Sequence, residues 1–155
     1  MSKVCCVYTR CSEDEQTRDG YPLEFQEEKC KEYIEKKGFT YFGTYTDKNI
    51  SGTVPWDKRE GMTQLIQDMK LKKFDTIILH TFDRIGCELT IAYEIIGMCE
   101  DYKITILECQ RDMSTSTIDG RYCVALSLTF AQRDHFIALE RTREMEDWKL
   151  QSIKV

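Results

Sequence analysis

The sequence predicts an α/β fold, with a mainly parallel central sheet, helices on both faces and a long C-terminal helix. Three observations predict it: short apolar runs recur at long intervals, amphipathic segments lie between them, and helix-forming residues fill the last part of the chain. At 155 residues, the chain suits one domain with a full hydrophobic core rather than two.

Short apolar runs mark the expected strands. Residues 4–8, 76–80 and 104–107 are runs of this kind, and residues 40–46 form a weaker, aromatic candidate. The intervals between successive runs are long enough to hold a crossover connection, which parallel neighbours require. We therefore expect these strands to pair mainly in parallel.

The segments between the strands have the pattern of crossover helices. Pro22 suits the start of a helix that runs to Lys37, and Gly38 is placed to end it. Two further helices are expected before residues 72 and 104, because apolar residues recur there at helical spacing. The apolar positions are Leu23, Cys30, Tyr33 and Ile34 in the first helix, Met62, Leu65, Ile66 and Met69 in the second, and Ile91, Ile95, Ile96 and Cys99 in the third.

The last segment is expected to be one long helix. Residues 119–149 contain no proline, and no glycine follows Gly120. Most helices of globular proteins have roughly 8–20 residues. A longer helix usually extends beyond its own domain and packs on a partner. We divide the chain into an α/β body at residues 1–120 and a long helix at residues 121–155 that continues the same domain. Dimerisation through this helix is a hypothesis, because its apolar residues form no clean heptad.

Composition and charge exclude several classes of protein. Apolar residues make up 41% of the chain and charged residues 32%, which is a globular balance, and no run is apolar enough to span a membrane. The formal net charge of −5 argues against a general nucleic-acid coat protein, because such proteins neutralise phosphates with Lys and Arg. The eight cysteines lack paired metal-ligand spacing, which favours reduced thiols in a cytoplasmic protein.

Residues suited to phosphate chemistry follow the expected strands. Arg10 and Ser12 come after the first strand and, because side chains alternate with period two, point to the same side. A hydroxyl beside a guanidinium is a candidate nucleophile with an anion clamp. Arg59, Asp83 and Arg84 are expected near the same sheet edge, where functional loops of α/β sheets converge. Taken singly, each is more often an ordinary loop or surface residue.

Spaced motifs, taken together, give the strongest signal. They are Tyr8-Thr-Arg-Cys-Ser12 with Gln16, Pro22-Leu-Glu-Phe-Gln26, Asp47 with Ser51-Gly52, Arg59-Glu-Gly-Met62, Asp83-Arg84-Ile-Gly86, and Ala131-Gln132 with Leu139-Glu-Arg-Thr142 on the long helix. In this order, over nearly the whole chain, they resemble the catalytic domain of the serine site-specific recombinases, the resolvase and invertase family. The insertion at residues 19–22 is similar to the large members of that family, which include integrases and transposases.

The resemblance implies a reaction. Ser12 would attack a DNA phosphate to form a 5′-phosphoserine link, which a free 3′-hydroxyl later reverses on a recombined strand. Charge on the phosphoryl oxygens would be stabilised by arginines, and Asp83 would serve as an orienter or acid, without a metal or other cofactor. The arginines are Arg10, Arg59 and Arg84, and the supporting positions carried over from the family are Tyr8, Gln16, Gln26, Asp47, Ser51 and Arg141.

The resemblance also implies partners. The family acts on DNA recombination sites, and its dimers assemble into a tetramer, with no role for a membrane. No helix-turn-helix or zinc module is recognisable in the sequence, so the DNA-binding domain that reads the target is expected beyond Val155.

Two alternatives stay open, one from a departure from the family pattern and one from the strand and helix pattern alone. Cys87 stands where the family usually has a further arginine, and Asp134-His135 stand where it more often has Glu-Arg. The first alternative, which rests on Cys87, is a catalytically impaired, recombinase-like domain that assembles or regulates without cutting DNA. The second, a doubly wound phosphate-binding domain, accounts for the strands and helices but leaves the arginines unexplained, and no glycine-rich loop follows the first strand.

Overall fold

A computed structural model describes residues 2–13 and 20–153. Its centre is a five-stranded sheet in the order β2-β1-β3-β4-β5. The first four strands pair in parallel, and β5 pairs with β4 in the antiparallel direction. The predicted α/β fold class is confirmed. The strands are β1 Val4–Cys11, β2 Thr40–Lys48, β3 Thr76–Leu79, β4 Thr105–Glu108 and β5 Met113–Ser114.

Four α-helices are described around this sheet. The first ends as the sequence predicts, at Gly38, whose φ of 71° places it in the left-handed region that glycine adopts without steric cost. Short 3-10 turns at Trp56–Lys58 and Phe82–Arg84 follow β2 and β3. The helices are α1 Leu23–Lys37, α2 Glu60–Lys70, α3 Leu89–Asp101 and α4 Ile118–Ile153.

Helices cover both faces of the sheet, as predicted. On one face, Cys30 and Ile34 of α1 pack with Val7 of β1 in a small core. On the other face, a larger core joins the sheet to α2, α3 and the beginning of α4. Side-chain alternation along β1 explains the division, because Cys5 and Val7 face α1 whereas Cys6 and Tyr8 face the larger core.

Two strands differ from the sequence-based expectation in extent. Both β1 and β2 continue beyond their apolar runs, and Arg10 pairs with Asp47 near their ends. Backbone pairing between the two strands continues past the point where the apolar pattern of each ends. Polar residues that were expected in loops therefore belong to the strands. β5 was not predicted, because two residues are too short to show a period.

The long helix α4 is attached to the domain only near its start. Its buried residues are Gly120, Val124 and Leu128, and the Gln132 side chain accepts a hydrogen bond from the Leu89 backbone N–H at 2.7 Å. From residue 138 to residue 153 every side chain is exposed. No helix in the described parts of the chain is both long and apolar enough to cross a membrane.

Candidate active site

A cavity of about 780 Å³ lies where β1, β2 and β3 end, with α4 forming one wall. The sequence predicted this convergence of strand ends, since the carboxyl ends of parallel strands meet at one edge of a sheet. From the strand ends and loops it is lined by Arg10, Ser12, Glu13, Asn49, Ser51, Gly52, Asp83, Arg84 and Cys87, and from α4 by Ala131, Asp134, His135, Ala138, Leu139 and Thr142.

Arg10 holds the loops around the cavity together. Its side chain is only 3% exposed, and its guanidinium donates to three backbone carbonyls. Nε donates to Arg84 at 2.9 Å, Nη1 to Ile50 at 3.0 Å and Nη2 to Asp83 at 3.1 Å. A planar guanidinium can bind several acceptors at fixed angles, so Arg10 fixes the loops after β2 and β3 relative to β1.

Arg84 and Asp83 form a charged pair in the 3-10 turn after β3. Arg84 Nη1 donates to the Arg10 carbonyl at 2.9 Å, and its Nη2 lies 3.3 Å from Asp83 Oδ2. Burial acts to raise the pKa of Asp83, but the charge of Arg84 and hydrogen bonds from Thr81 and Arg84 outweigh it, and the pKa lies below its ordinary value. Asp83 is therefore a carboxylate at neutral pH.

Gln26 supports β1 from helix α1. The side chain is fully buried, and its Nε2 donates to the carbonyls of Arg10 at 3.0 Å and Tyr21 at 2.9 Å. Its Oε1 accepts the Arg10 backbone N–H at 3.3 Å. The amide thus completes the hydrogen bonds of a strand residue that lines the cavity, and Gln26 does not line it.

Asp47 lies beneath the site and joins β1 to α2. Its carboxylate accepts the Tyr8 hydroxyl at 2.7 Å and the backbone N–H groups of Gly61 and Met62 at 2.7 and 3.0 Å. Those N–H groups lack intrahelical partners at the start of a helix, where a negative charge is also favoured by the helix dipole. Burial, followed by the Asp47 charge, raises the pKa of Tyr8, so this phenol stays protonated and donates.

Arg59 is completely buried and does not line the cavity. Its guanidinium donates to the carbonyls of Val54 at 2.9 Å and Gly52 at 3.2 Å, and also to that of Ile85. In this arrangement Arg59 ties the loop after β2 to the loop after β3. Arg59, to which the family resemblance assigns a role at the phosphoryl oxygens, makes these carbonyl contacts in the structure.

Cys87 lies against the cavity wall beside Gly52. Its backbone N–H donates to the Gly52 carbonyl at 3.1 Å. A Cβ placed on Gly52 would lie 2.7 Å from the Cys87 nitrogen and 3.1 Å from both Cys87 Sγ and Arg10 Nη2. Glycine is therefore required here for close approach of two loops. Burial is the main cause that raises the pKa of Cys87, so the thiol is uncharged at neutral pH.

The structure brings some of the predicted site residues to the cavity and places others elsewhere. Arg141 is exposed on α4 and lines a separate surface depression with Glu144, Met145 and Trp148. Gln16 lies outside the described residues. The predicted residues that line the cavity are Arg10, Ser12, Ser51, Asp83 and Arg84, and those that are buried without lining it are Tyr8, Gln26, Asp47 and Arg59.

Sequence reasoning missed Glu108, which supports the loop that carries Asp83. This fully buried carboxylate ends β4 and accepts the Phe82 backbone N–H at 2.8 Å. Arg111 Nη2 also donates to Glu108 Oε2 at 2.7 Å, so the buried carboxylate is paired with a positive charge. The available signal was a glutamate directly after the apolar run at residues 104–107. A carboxylate buried at that position needs hydrogen-bond donors or a positive charge beside it. Within residues 2–13 and 20–153, no cluster of three or more His, Cys, Asp or Glu side chains has the arrangement of a metal site.

The sequence matches one protein family over most of its length. Residues 5–152 match the family described as "Resolvase, N terminal domain". Among curated proteins, none matches the sequence significantly.

Solved structures with the same fold include three catalytic domains or recombinases. The N-terminal catalytic domain of TP901-1 integrase is 27% identical, with a TM-score of 0.67, over 93% of this chain and 99% of that one. A resolvase family site-specific recombinase from Streptococcus pneumoniae is 18% identical, with a TM-score of 0.64, over 97% of this chain and 99% of that one. The C-terminal catalytic domain of ISC1926 TnpA, an IS607-like serine recombinase, is 21% identical, with a TM-score of 0.58, over 68% and 70% of the two chains.

Proposed function

Because the chain belongs to the family of resolvase N-terminal domains and resembles its large members, we propose that it cleaves and rejoins DNA at specific sites through Ser12. In the cleavage step a bond forms between Ser12 Oγ and phosphorus, and the bond from phosphorus to the 3′ oxygen breaks. The serine loses its proton and the departing 3′ oxygen gains one. The 5′-phosphoserine keeps the energy of the phosphodiester until a 3′-hydroxyl of a recombined strand reverses the step.

One observation carries this proposal: Ser12 and two arginines, Arg10 and Arg84, line the same cavity at the strand ends. Guanidinium groups match phosphate oxygens in geometry and charge, and in a partly buried site their interaction with developing charge is stronger than in water. Both arginines are at least nine-tenths buried and held by backbone carbonyls. They are thus positioned before a phosphate arrives, which is the arrangement that lowers a barrier without reorganisation.

Asp83 acts as an orienter in this proposal. Its lowered pKa opposes storage of a proton at neutral pH, so a role as general acid is disfavoured. Its carboxylate pairs with Arg84 at 3.3 Å and accepts the Thr81 hydroxyl at 2.5 Å. These contacts fix the side-chain direction of Arg84, which in turn donates to the Arg10 carbonyl.

Arg59, Gln26, Asp47 and Tyr8 are positioning residues in this proposal. Arg59 fixes the loops at Gly52 and Ile85, and Gln26 fixes the backbone of Arg10. None of these four side chains lines the cavity. Their removal should therefore change the site through the position of Arg10 and the loops rather than through a lost phosphate contact.

The proposed partners are DNA and further copies of the chain. Helix α4 extends well beyond the body of the domain and carries exposed apolar side chains, including Phe136 at 51%, Leu139 at 51% and Trp148 at 62% exposure. Exposed apolar side chains that adjoin one another on a helix, as Phe136 and Leu139 do at a spacing of three residues, usually mark an interaction surface. We propose that α4 joins the chain into dimers, and that two dimers form the tetramer in which strands are exchanged.

Trapping the covalent intermediate tests the proposed function. The protein that contains this chain is incubated with DNA carrying its recombination sites, quenched with detergent and analysed for a protein–DNA adduct. We expect an adduct whose DNA is linked to Ser12, and we expect Ser12→Ala to abolish it. Ser116→Ala is the matched control, because Ser116 is exposed in the turn before α4 and does not line the cavity. Loss of the adduct in both variants, or its persistence in Ser12→Ala, would contradict the proposal.

Cys87 favours a second candidate function, a recombinase-like domain that assembles on DNA without cutting it. Cys87 lines the cavity as a neutral thiol, where the family usually has an arginine. Among the charged residues that line the cavity, two arginines then face three carboxylates, those of Glu13, Asp83 and Asp134. This excess of negative charge disfavours the binding of a phosphate. The same trapping assay separates the two functions, because a non-cutting domain would give no adduct even as the Cys87→Arg variant.

A further inference from the structure

Two thiols meet where helix α1 packs on the end of β4. Cys30 Sγ and Cys109 Sγ lie 4.0 Å apart, although the two residues are 79 positions apart in sequence. Cys30 is fully buried in the small core under α1, whereas Cys109 is half-buried at its edge and follows directly after β4. One thiol of the pair is therefore near solvent and the other is shielded from it.

We propose that Cys30 and Cys109 are a reversible redox pair, which hydroperoxides oxidise to a disulfide that fastens α1 to the end of β4. A disulfide bond is about 2.05 Å long, so the two sulfur atoms must approach by roughly 2 Å. Both side chains have a rotatable bond at Cβ, which allows an approach of this size. The proposal concerns the junction between α1 and the end of β4, and it does not depend on the Ser12 chemistry.

Cys109 is the thiol that reacts first with the peroxide. The hydrogen bond between the two thiols lowers the pKa of Cys109 below its ordinary value. Burial and the charge of Glu108 oppose this shift, and the charge of Lys29 adds to it. The same hydrogen bond, followed by burial, raises the pKa of Cys30. A thiolate is the reactive form of cysteine, so the half-buried Cys109 is activated and Cys30 is kept protonated.

The reaction balances with one hydroperoxide. The Cys109 thiolate attacks the O–O bond, a sulfur–oxygen bond forms, and the departing alkoxide or hydroxide takes a proton to leave as an alcohol or water. Cys30 then attacks Cys109 Sγ, forms the S–S bond and expels the hydroxyl group, which leaves as water with the Cys30 proton. Two thiols are oxidised, and the peroxide is reduced by two electrons.

Other thiols in the cores are poorer reactants. Burial raises the pKa of Cys5 to about 11 and that of Cys99 to about 12, so neither ionises near neutral pH. Cys5 and Cys6 are adjacent on β1 and point into opposite cores. Among the thiols of the two cores, oxidation by a dilute peroxide should therefore favour the pair that contains Cys109.

Neighbouring contacts fix the junction in which the disulfide would form. The Tyr33 hydroxyl of α1 donates to Asp112 Oδ1 at 2.5 Å, and Lys37 Nζ lies 3.1 Å from Asp112 Oδ2. The segment after Cys109 is thus already docked on α1, and little backbone movement is needed. Because the bond would close a long loop, it should restrict the unfolded chain and raise the melting temperature.

Peptide mapping and thermal unfolding test the pair together. The reduced chain, at low micromolar concentration, is treated with dilute hydrogen peroxide, alkylated, and digested without reductant. We expect a linked peptide that joins Cys30 to Cys109 in the monomer fraction, with a rise in melting temperature of roughly 5–10 °C that a dithiol reverses. Cys30→Ser and Cys109→Ser should each abolish the linked peptide and the rise. Cys99→Ser, a buried cysteine in the other core, should keep both.

Each other outcome would overturn the proposal. If both thiols are recovered in their reduced, alkylatable form after treatment, the pair is not redox-active. If Cys109 is found linked to another cysteine or to a second chain, the pairing is wrong. The mapping on the unsubstituted protein decides between these outcomes even if a serine variant folds poorly.

Discussion

Arg10 and Arg84 each hydrogen-bond the other's backbone carbonyl, at 2.9 Å in both directions. Arg10 comes from the end of β1 and Arg84 from the turn after β3, so this reciprocal contact closes the sheet edge at the floor of the cavity. The two side chains proposed to bind phosphate are also the ones that hold the site together. Changes to either should therefore affect stability and activity at once.

Replacing Arg10 by lysine should lower both the stability of the chain and its DNA-cleavage activity. A lysine has a single nitrogen and no fork, so it cannot donate to three carbonyls that Arg10 holds in different directions. We expect Arg10→Lys to reduce the free energy of unfolding by about 2–3 kcal/mol, since buried carbonyls lose their donors. Urea denaturation measures the change, and the adduct should disappear. Arg133→Lys, at an arginine that is 67% exposed, should change stability by less than about 0.5 kcal/mol. An unchanged midpoint for Arg10→Lys would contradict the structural role.

The contact between Tyr8 and Asp47 should show energetic coupling. Tyr8→Phe removes one donor to Asp47 and should cost about 1–1.5 kcal/mol. Asp47→Asn also removes the charge at the start of α2 and should cost about 2 kcal/mol or more. A double-mutant cycle, measured by chemical denaturation, should give a coupling energy of about 1 kcal/mol. Strict additivity of the two substitutions would mean that the hydrogen bond contributes nothing to stability.

Two helical glycines should respond to alanine in opposite ways. A Cβ on Gly120, in the first turn of α4, would lie 1.6 Å from the Ser114 carbonyl oxygen, so backbone must move. We expect Gly120→Ala to destabilise the chain by about 1–3 kcal/mol. Gly97 in α3 has open space at the same position, and Gly97→Ala should stabilise by up to about 1 kcal/mol because alanine favours helices. Thermal unfolding of the two variants is the measurement, and a shift of the same sign in both would contradict it.

Asp83 should make the stability of the chain depend on acid pH. Burial opposes its charged form, yet Arg84 and the hydrogen bonds to Asp83 lower its pKa in the folded state. A lowered folded-state pKa contributes stability above the unfolded-state value, near pH 4, which is lost as pH falls through the folded-state value. Asp83→Asn should therefore be less stable than the unsubstituted chain at pH 6, and the gap should narrow towards pH 2. Denaturation at several pH values measures it; a gap that is constant with pH, or widens in acid, would contradict this assignment.

Much of the fold is predictable because its parallel strands are buried on both faces. Continuous apolar runs mark such strands, and Pro22 and Gly38 mark the ends of α1. By contrast, β5 has only two residues, and backbone pairing extends β1 and β2 beyond the apolar runs that predicted them. Those features depend on the neighbouring strand rather than on local sequence.

For the candidate site, the sequence predicts which residues lie near the strand ends but not the direction of each side chain. Alternation along β1 places Arg10 and Ser12 together, and both line the cavity. Arg59 was expected near the same sheet edge as Arg10. Its guanidinium instead donates to three carbonyls of loops that only the tertiary structure brings together. Arg141 lies on a helix whose position relative to the cavity is set by contacts near its start, such as that of Gln132 with Leu89. Neither orientation could be deduced from local spacing.

Cys87 should limit the rate of DNA cleavage. The residue lines the cavity close to Gly52 and Arg10, and an arginine there would extend a third cation towards a bound phosphate. A positioned donor to transition-state charge commonly changes a rate by about 10²–10³-fold, so Cys87→Arg should raise the rate of adduct formation by that order. Single-turnover cleavage of a DNA site by the protein that contains this chain measures the change. Cys87→Met is the matched control, since it adds length without charge and should give no increase. An equal increase in both variants would assign the effect to cavity packing, and no increase in either would show that Cys87 does not limit cleavage.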